Sequence, residues 1–345
     1  AGWRPSAAAG GSPGYDDSAD IPSFGSVVIN ELLAHSHAEA ADWIELHNTT
    51  DAVIPIGGWF LSDSSNDFRK YEIPADTVIP AGGYVVFYEH LHFGNSQAPG
   101  CYSPFGLSEN GETFYLHSGD NGELTGYNAE ESFGASETGV SLGRYQKSTG
   151  TFNFVAMSEA TPGAANAYPK VGPVVISEIM YHPPGNSDAE YVELLNITSA
   201  DVTLYDYATN EPWRFTDDGG IELFLPAAPV VTLAPGGRVL LVKNLAAYQS
   251  VFGTPPVRTV EWTDGSLNNA GELIQLSKPG DVNSSGQRQY IRVDRVVYSD
   301  GSHPVGDDPW PVEADGFGMS LRRKVPHEYG NDVINWEAAT PSPGY

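Results

Sequence analysis

One stretch occurs twice in this chain of 345 residues and constrains its fold more than anything else in it. Val27-Val-Ile-Asn-Glu31 is followed, after a loop, by Trp43-Ile-Glu-Leu-His-Asn48; Val174-Val-Ile-Ser-Glu178 is followed, after a loop, by Tyr191-Val-Glu-Leu-Leu-Asn196. Further blocks recur in the same order at growing offsets. Val27 maps to Val174, 147 residues on, and Asn48 to Asn196, 148 on. Pro80-Ala-Gly-Gly83 maps to Ala234-Pro-Gly-Gly237 at 154, and Gly111-Glu-Thr-Phe-Tyr-Leu116 to Gly271-Glu-Leu-Ile-Gln-Leu276 at 160. Ser141-Leu-Gly-Arg144 maps to Ser320-Leu-Arg-Arg323 at 179, and Thr161-Pro-Gly163 to Ser342-Pro-Gly344 at 181. Each increment is an insertion in a loop between fixed strands. The chain is therefore a tandem pair, with bodies expected at 21–168 and 174–345 and a short linker at 169–173.

The bodies read as all-β. In Trp43–Asn48, Ile44 and Leu46 point to one face and Trp43, Glu45 and His47 to the other, as the period of two in a strand requires. Tyr84-Val-Val-Phe-Tyr88 is a continuous apolar run fit for the centre of a sandwich, and Asn110-Gly111 and Asn121-Gly122 are hairpin signals. With 38 Gly and 26 Pro, turns punctuate many short strands. No run of 18 apolar residues and no basic-then-apolar leader is present, so a mature or excised soluble piece is expected.

Residues 1–20 look like the tail of a further repeat: Trp3 followed by Ser12-Pro-Gly-Tyr15 parallels Trp336 followed by Ser342-Pro-Gly-Tyr345. Two expectations follow, a remnant of a longer polypeptide or a donor strand that pairs with other domains or copies of the same protein. The proline-bearing linker is expected to stiffen the pair into a rod.

Taken in order, Val-Ile-Asn-Glu, Trp-Ile-Glu-Leu-x-Asn, Gly-Trp-x-Leu-Ser-Asp, Ile-Pro-Ala-Gly-Gly-Tyr-Val-Val-Phe, Phe-Gly-Leu-Ser-x-Asn-Gly-Glu, Ser-Leu-Gly-Arg and Thr-Pro-Gly-Ala-Ala-Asn resemble the lamin tail domain family in its bacterial form. The resemblance covers residues 25–166 closely. It covers the second body more loosely, departing between Tyr205 and Val230 and between Lys278 and Arg292, and it returns in Asp307–Leu321. It implies immunoglobulin-like β-sandwiches used as extracellular, cell-surface modules, and it brings no catalytic residues to carry over.

Charge narrows the partners. Asp and Glu number 44 against 17 Lys and Arg, a net charge of −27, which repels nucleic-acid phosphates and anionic membranes. Neither nucleic acid nor membrane insertion is expected. The single Cys101 excludes an internal disulfide. No Gly-x-Ser-x-Gly elbow or phosphate-binding loop is present, so no enzyme is expected.

The repeated motif residues Glu31, Trp43, Glu45 and Asn48, and Glu178, Tyr191, Glu193 and Asn196, are read as structural, the glutamates accepting backbone N–H groups at a sheet end. A catalytic or metal-binding carboxylate pair is the alternative. His35, His37, His47, His90, His92 and His117 cluster in the first copy, with none expected at aligned positions in the second. The oxygen-rich loops with Asp63, Asn66 and Asp67, and with Asp120, Asn121 and Glu123, are the candidates for calcium, with Asp217-Asp218 and Asp307-Asp308 behind them. Trp213, Trp262 and Trp310 fall in insertions and polar loops, where an exposed indole would stack on a glycan. The expected role is a rod-like spacer or assembly building block of a secreted or surface protein; the alternative is a glycan- or ligand-binding adhesion module that uses calcium.

Overall fold

The computed structural model describes Ser6, Gly11 and residues 22–345. The expected tail at 1–20 thus lies outside the described residues, those two apart. The chain divides into two compact units, one ending at Lys170 and the other running from Val171 to Tyr345, with residues 147–151 counted to the second.

The first unit comprises β1 (Val27–Leu33), β2 (Trp43–Asn48), β3 (Ile54–Pro55), β4 (Phe60–Ser62), β5 (Tyr71–Glu72), β6 (Val78–Ile79), β7 (Tyr84–Tyr88), β8 (Gly111–Asp120), β9 (Glu123–Gly134), β10 (Leu142–Gln146) and β11 (Phe152–Ala156). They form a five-stranded sheet ordered β11-β10-β1-β2-β7, a four-stranded sheet ordered β5-β4-β8-β9, and the ribbon β3-β6. Alternation explains the sandwich: Val27, Ile29, Ile44 and Leu46 from one sheet meet Leu61, Phe114, Leu116 and Tyr127 from the other in one core. Trp59 packs on Tyr127, whose hydroxyl donates to the Val27 carbonyl at 2.6 Å and so ties the sheets together.

The second unit comprises β12 (Val174–Met180), β13 (Tyr191–Asn196), β14 (Val202–Thr203), β15 (Tyr205–Asp206), β16 (Glu211–Pro212), β17 (Arg214–Asp217), β18 (Glu222–Phe224), β19 (Thr232–Leu233) and β20 (Arg238–Val242). It continues with α1 (Leu245–Phe252), β21 (Thr259–Glu261), β22 (Gly271–Val282), β23 (Arg288–Ser299), β24 (Ser320–Arg323) and β25 (Trp336–Ala339). Its sheets run β21-β20-β13-β12-β24-β25 and β18-β17-β22-β23, with the ribbons β14-β19 and β15-β16. Helix α1 is an addition that strand reading did not anticipate. The Asn244 side chain caps it by accepting from the Ala247 amide at 2.8 Å. Tyr248 on its inner face buries against Tyr191, Leu240 and Val242, and the chain then returns as β21, parallel to β20. No helix among the described residues is long and apolar enough to cross a membrane.

Both units keep one register. Phe60 and Ser62 pair with His117 and Tyr115; Arg214 and Thr216 pair with Ser277 and Gln275. Phe60 pairs with Glu72 on the other side, and Arg214 with Phe224. Trp213 therefore stands where the first unit has Trp59, Asp217 where it has Asp63, Glu222 where it has Lys70, and Glu272 where it has Glu112.

Candidate functional site

In each unit an extra residue interrupts the first strand pair. The β1–β2 register shifts between Ile29 and Glu31, and the β12–β13 register between Ile176 and Glu178, so Asn30 and Ser177 are bulge residues. A bulge turns the following side chain over without breaking the ladder. Glu31 thereby comes directly opposite Glu45, and Glu178 opposite Glu193, on the outer face of the sheet, while Ile29, Leu32, Ile176 and Ile179 stay in the core.

These outer carboxylates are nevertheless buried, at 0–2% exposure, because the last repeated block of each unit is strapped across them. Glu31 accepts from Ser141 Oγ at 2.5 Å, Thr161 Oγ1 at 2.7 Å and the Thr161 amide at 3.1 Å. Glu45 accepts from Asn30 Nδ2 at 2.7 Å and from the Gly163 amide. Asn166 fastens the strap further on, its Nδ2 donating to the carbonyls of Asn30 at 3.0 Å and Arg144 at 2.9 Å. The second unit repeats the arrangement. Glu178 accepts from Ser320 Oγ at 2.5 Å, Tyr191 OH at 2.6 Å, the Ser342 amide at 3.0 Å and Ser342 Oγ at 3.2 Å. Glu193 accepts from Ser177 Oγ and the Gly344 amide, both at 2.6 Å, and from Arg238 Nε at 3.0 Å. Burial pushes the Glu45 carboxyl up to about 7 and Glu193 upward as well. With donors of the chain on all four carboxylates, what this chemistry does is hold the Thr-Pro-Gly or Ser-Pro-Gly turn onto the sheet.

The other motif residues belong to the same scaffold. Trp43 and Tyr191 are buried. The Asn48 amide donates to the carbonyls of Ala52, Ile79 and Pro80, and Asn196 repeats this with Ala200, Leu233 and Leu233's successor Ala234. Both are fully buried and fully bonded.

Several sequence expectations need correction. Trp213 and Trp262 are buried at 6% and 3% exposure in the core of the second unit, and half-buried Trp310 packs against that core beside Trp336. An indole flanked by polar residues was enough to suggest exposure, but strand register turns Trp213 inward as it does Trp59. His182 occupies the place of His35, because Leu33 pairs with Trp43 as Met180 pairs with Tyr191, so one histidine does recur. Nor do the calcium candidates assemble. Asp63 is ion-paired with Lys70 at 2.5 Å, Glu123 with Arg69 at 3.2 Å, the Asp67 side chain caps the Arg69 amide, and Asn121 bonds to Asp120. Asn66 lies in an exposed turn. Among the described residues no three His, Cys, Asp or Glu side chains converge.

A cleft of about 500 Å³ opens in the second unit, lined by Tyr181, His182, Glu190, Gly219, Asn268 and Glu272 among others. Glu190 is satisfied there by Lys243 at 3.1 Å and the Leu267 amide at 2.8 Å, and His182 Nδ1 lies 2.6 Å from Asp315. Glu272 is not fully satisfied. Its Oε1 accepts from the Asn268 amide at 2.8 Å and Tyr298 OH at 3.0 Å, but its Oε2 and the neighbouring Asp217 Oδ2 are buried without a hydrogen-bond partner among the described residues. Sequence reading paired Asp217 with Asp218 and missed Glu272, which lies on another strand; the Gly-Glu shared with Gly111-Glu112 was the available signal.

The Lamin Tail Domain family matches residues 21–142 and 168–300. No curated protein matches. Three chains of solved structures match. One is the crystal structure of a DUF4876 family protein from Bacteroides thetaiotaomicron VPI-5482, 13% identical, covering 65% of this chain and 90% of its own length at a TM-score of 0.32. A likeness at that score carries no argument about fold or role.

Proposed function

This chain belongs to the lamin tail domain family, and from that premise we propose that it is a non-catalytic structural module, a tandem building block or spacer within a secreted or cell-surface protein, its domains bounded at 21–168 and 174–345. What supports the reading most is the use to which the repeated carboxylates are put: both pairs are spent on strapping the closing turn of their own sandwich. A charge of −27 and a single cysteine suit an extracellular setting where solubility rests on charge and cores do without disulfides.

Force spectroscopy on the full chain tests the reading. Two unfolding events are expected, and Glu31→Gln should lower the unfolding force of the first unit alone. Unchanged forces in that variant would remove the strap as the basis of a load-bearing role.

A further inference from the structure

The first unit neutralises its Asp63–Glu112 corner from within. Lys70 Nζ lies 2.5 Å from Asp63 Oδ1 and 5.5 Å from the centre of the Phe105 ring, and its charge favours the ionised form of Glu112. In the second unit Asp217 and Glu272 hold the same positions, but the residue in the place of Lys70 is Glu222, whose carboxylate pairs with Arg214 at 3.1 Å. Counting back from Gly111 and Gly271, the place of Phe105 is taken by Gly265. The acidic corner is kept and its cation is gone.

The remaining geometry points to an outside replacement. Asp217 Oδ1 is engaged by the amides of Gly220 at 2.6 Å and Ile221 at 2.5 Å, which fixes the carboxylate and leaves Oδ2 pointing away from them. A Cβ added to Gly219 would lie 2.8 Å from Glu272 Oε2 and 3.1 Å from Asp217 Oδ2, so both unpartnered oxygens converge beside that glycine, in the wall of the cleft. Glu272 is only 7% exposed. Tyr181, 1% exposed and lining the same cleft, also has a hydroxyl with no partner among the described residues. Two desolvated carboxylates side by side are stable when a positive charge sits between them.

We propose that the Asp217–Glu272 corner, beside the cleft, is a binding site for an alkylammonium group, of the kind a lysine side chain carries. The group has three N–H donors, and Asp217 Oδ2 and Glu272 Oε2 offer two acceptors side by side for them. Calcium takes six to eight oxygens, and among the described residues no group of three His, Cys, Asp or Glu side chains that could hold a metal ion forms here. The first unit supplies the precedent, since a primary ammonium already fills the same corner there. This inference does not depend on the role of the straps.

Calorimetric titration of the full chain at pH 8 tests it, with n-butylammonium, Nα-acetyl-lysine amide, its Nε-acetylated form and calcium chloride as separate titrants. Saturable 1:1 binding of both amines is expected, with a dissociation constant on the order of 1 mM. The neutral Nε-acetyl form should not bind. Tighter binding of the lysine amide than of butylammonium would assign the site to a protein lysine, and equal binding to the ammonium alone. Glu272→Gln and Asp217→Asn should each weaken binding at least about tenfold. Glu222→Lys, at an exposed position, would restore the internal ammonium; it should abolish amine binding and raise the unfolding midpoint of the second unit. Calcium binding with no response to either amine would overturn the assignment. So would the absence of any binding together with a Glu272→Gln variant that is merely more stable, because the two carboxyls would then be sharing a proton.

Discussion

At the scale of single residues, the glutamates of each unit act as acceptors whose donors come from far along the chain. Glu31 meets Ser141 and Thr161, and Glu178 meets Ser320 and Ser342. Glu31→Ala would leave a hydroxyl, an amide and a second hydroxyl facing an apolar gap, and is expected to cost the first unit about 3 kcal/mol, read as a shift in its urea midpoint with the second unit unmoved. Acidity supplies a second prediction. Burial, before any neighbouring charge, holds the Glu45, Glu112 and Glu272 carboxyls up to about 7 from an ordinary 4.5. Glu31 adds to this at Glu45, Asp63 and Asp42 at Glu112 against Lys70, and Asp217 and Asp218 at Glu272. Between those values the folded chain keeps protons that the unfolded chain has released, so this stabilisation is complete below about 4.5 and is lost as the pH rises through about 7. Scanning calorimetry should give a higher Tm at pH 5.5 than at pH 8, and Glu45→Gln should flatten the dependence for the first unit. The sequence made the paired glutamates legible as structural acceptors because they recur inside strand patterns. Their donors were not legible, since no local spacing links Glu31 to Thr161, and the indoles of Trp213 and Trp262 were misplaced because polar neighbours say nothing about which way a strand faces.

At the scale of elements, the bulges at Asn30 and Ser177 let one sheet carry a core on one face and a carboxylate pair on the other. The repeated Val-Ile-x-Glu pattern announced two strands but not the extra residue, because a bulge has no composition of its own. The strap is the complementary element. Removing residues 340–345 would strip Glu178 of the Ser342 donors and Glu193 of the Gly344 amide, and should cost the second unit about 2–4 kcal/mol by denaturant unfolding. Helix α1 escaped strand reading because an eight-residue segment inside a β pattern offers too short a period to stand out. Its Asn244 cap should matter locally, with Asn244→Ala lowering the free energy of opening α1 by about 1 kcal/mol, read as faster hydrogen exchange of the α1 amides.

At the scale of the whole molecule, the ordered repeats carried the architecture. Six matching blocks at rising offsets are hard to reconcile with anything but two copies of one scaffold, and the copies keep register even where loops grew. The Ser12-Pro-Gly-Tyr15 run is the same as the one Glu178 and Glu193 hold at 342–345. If it serves as a strap for another copy, light scattering should find the full chain in larger species than a variant lacking residues 1–17; equal masses would dismiss that use. The position of the straps also bears on how such a chain is made. Synthesis proceeds from the N-terminus, and each sandwich receives its closing segment last, more than 100 residues after the carboxylates that await it. A nascent copy whose strap has not yet emerged would carry two bare, adjacent acids on an open sheet face.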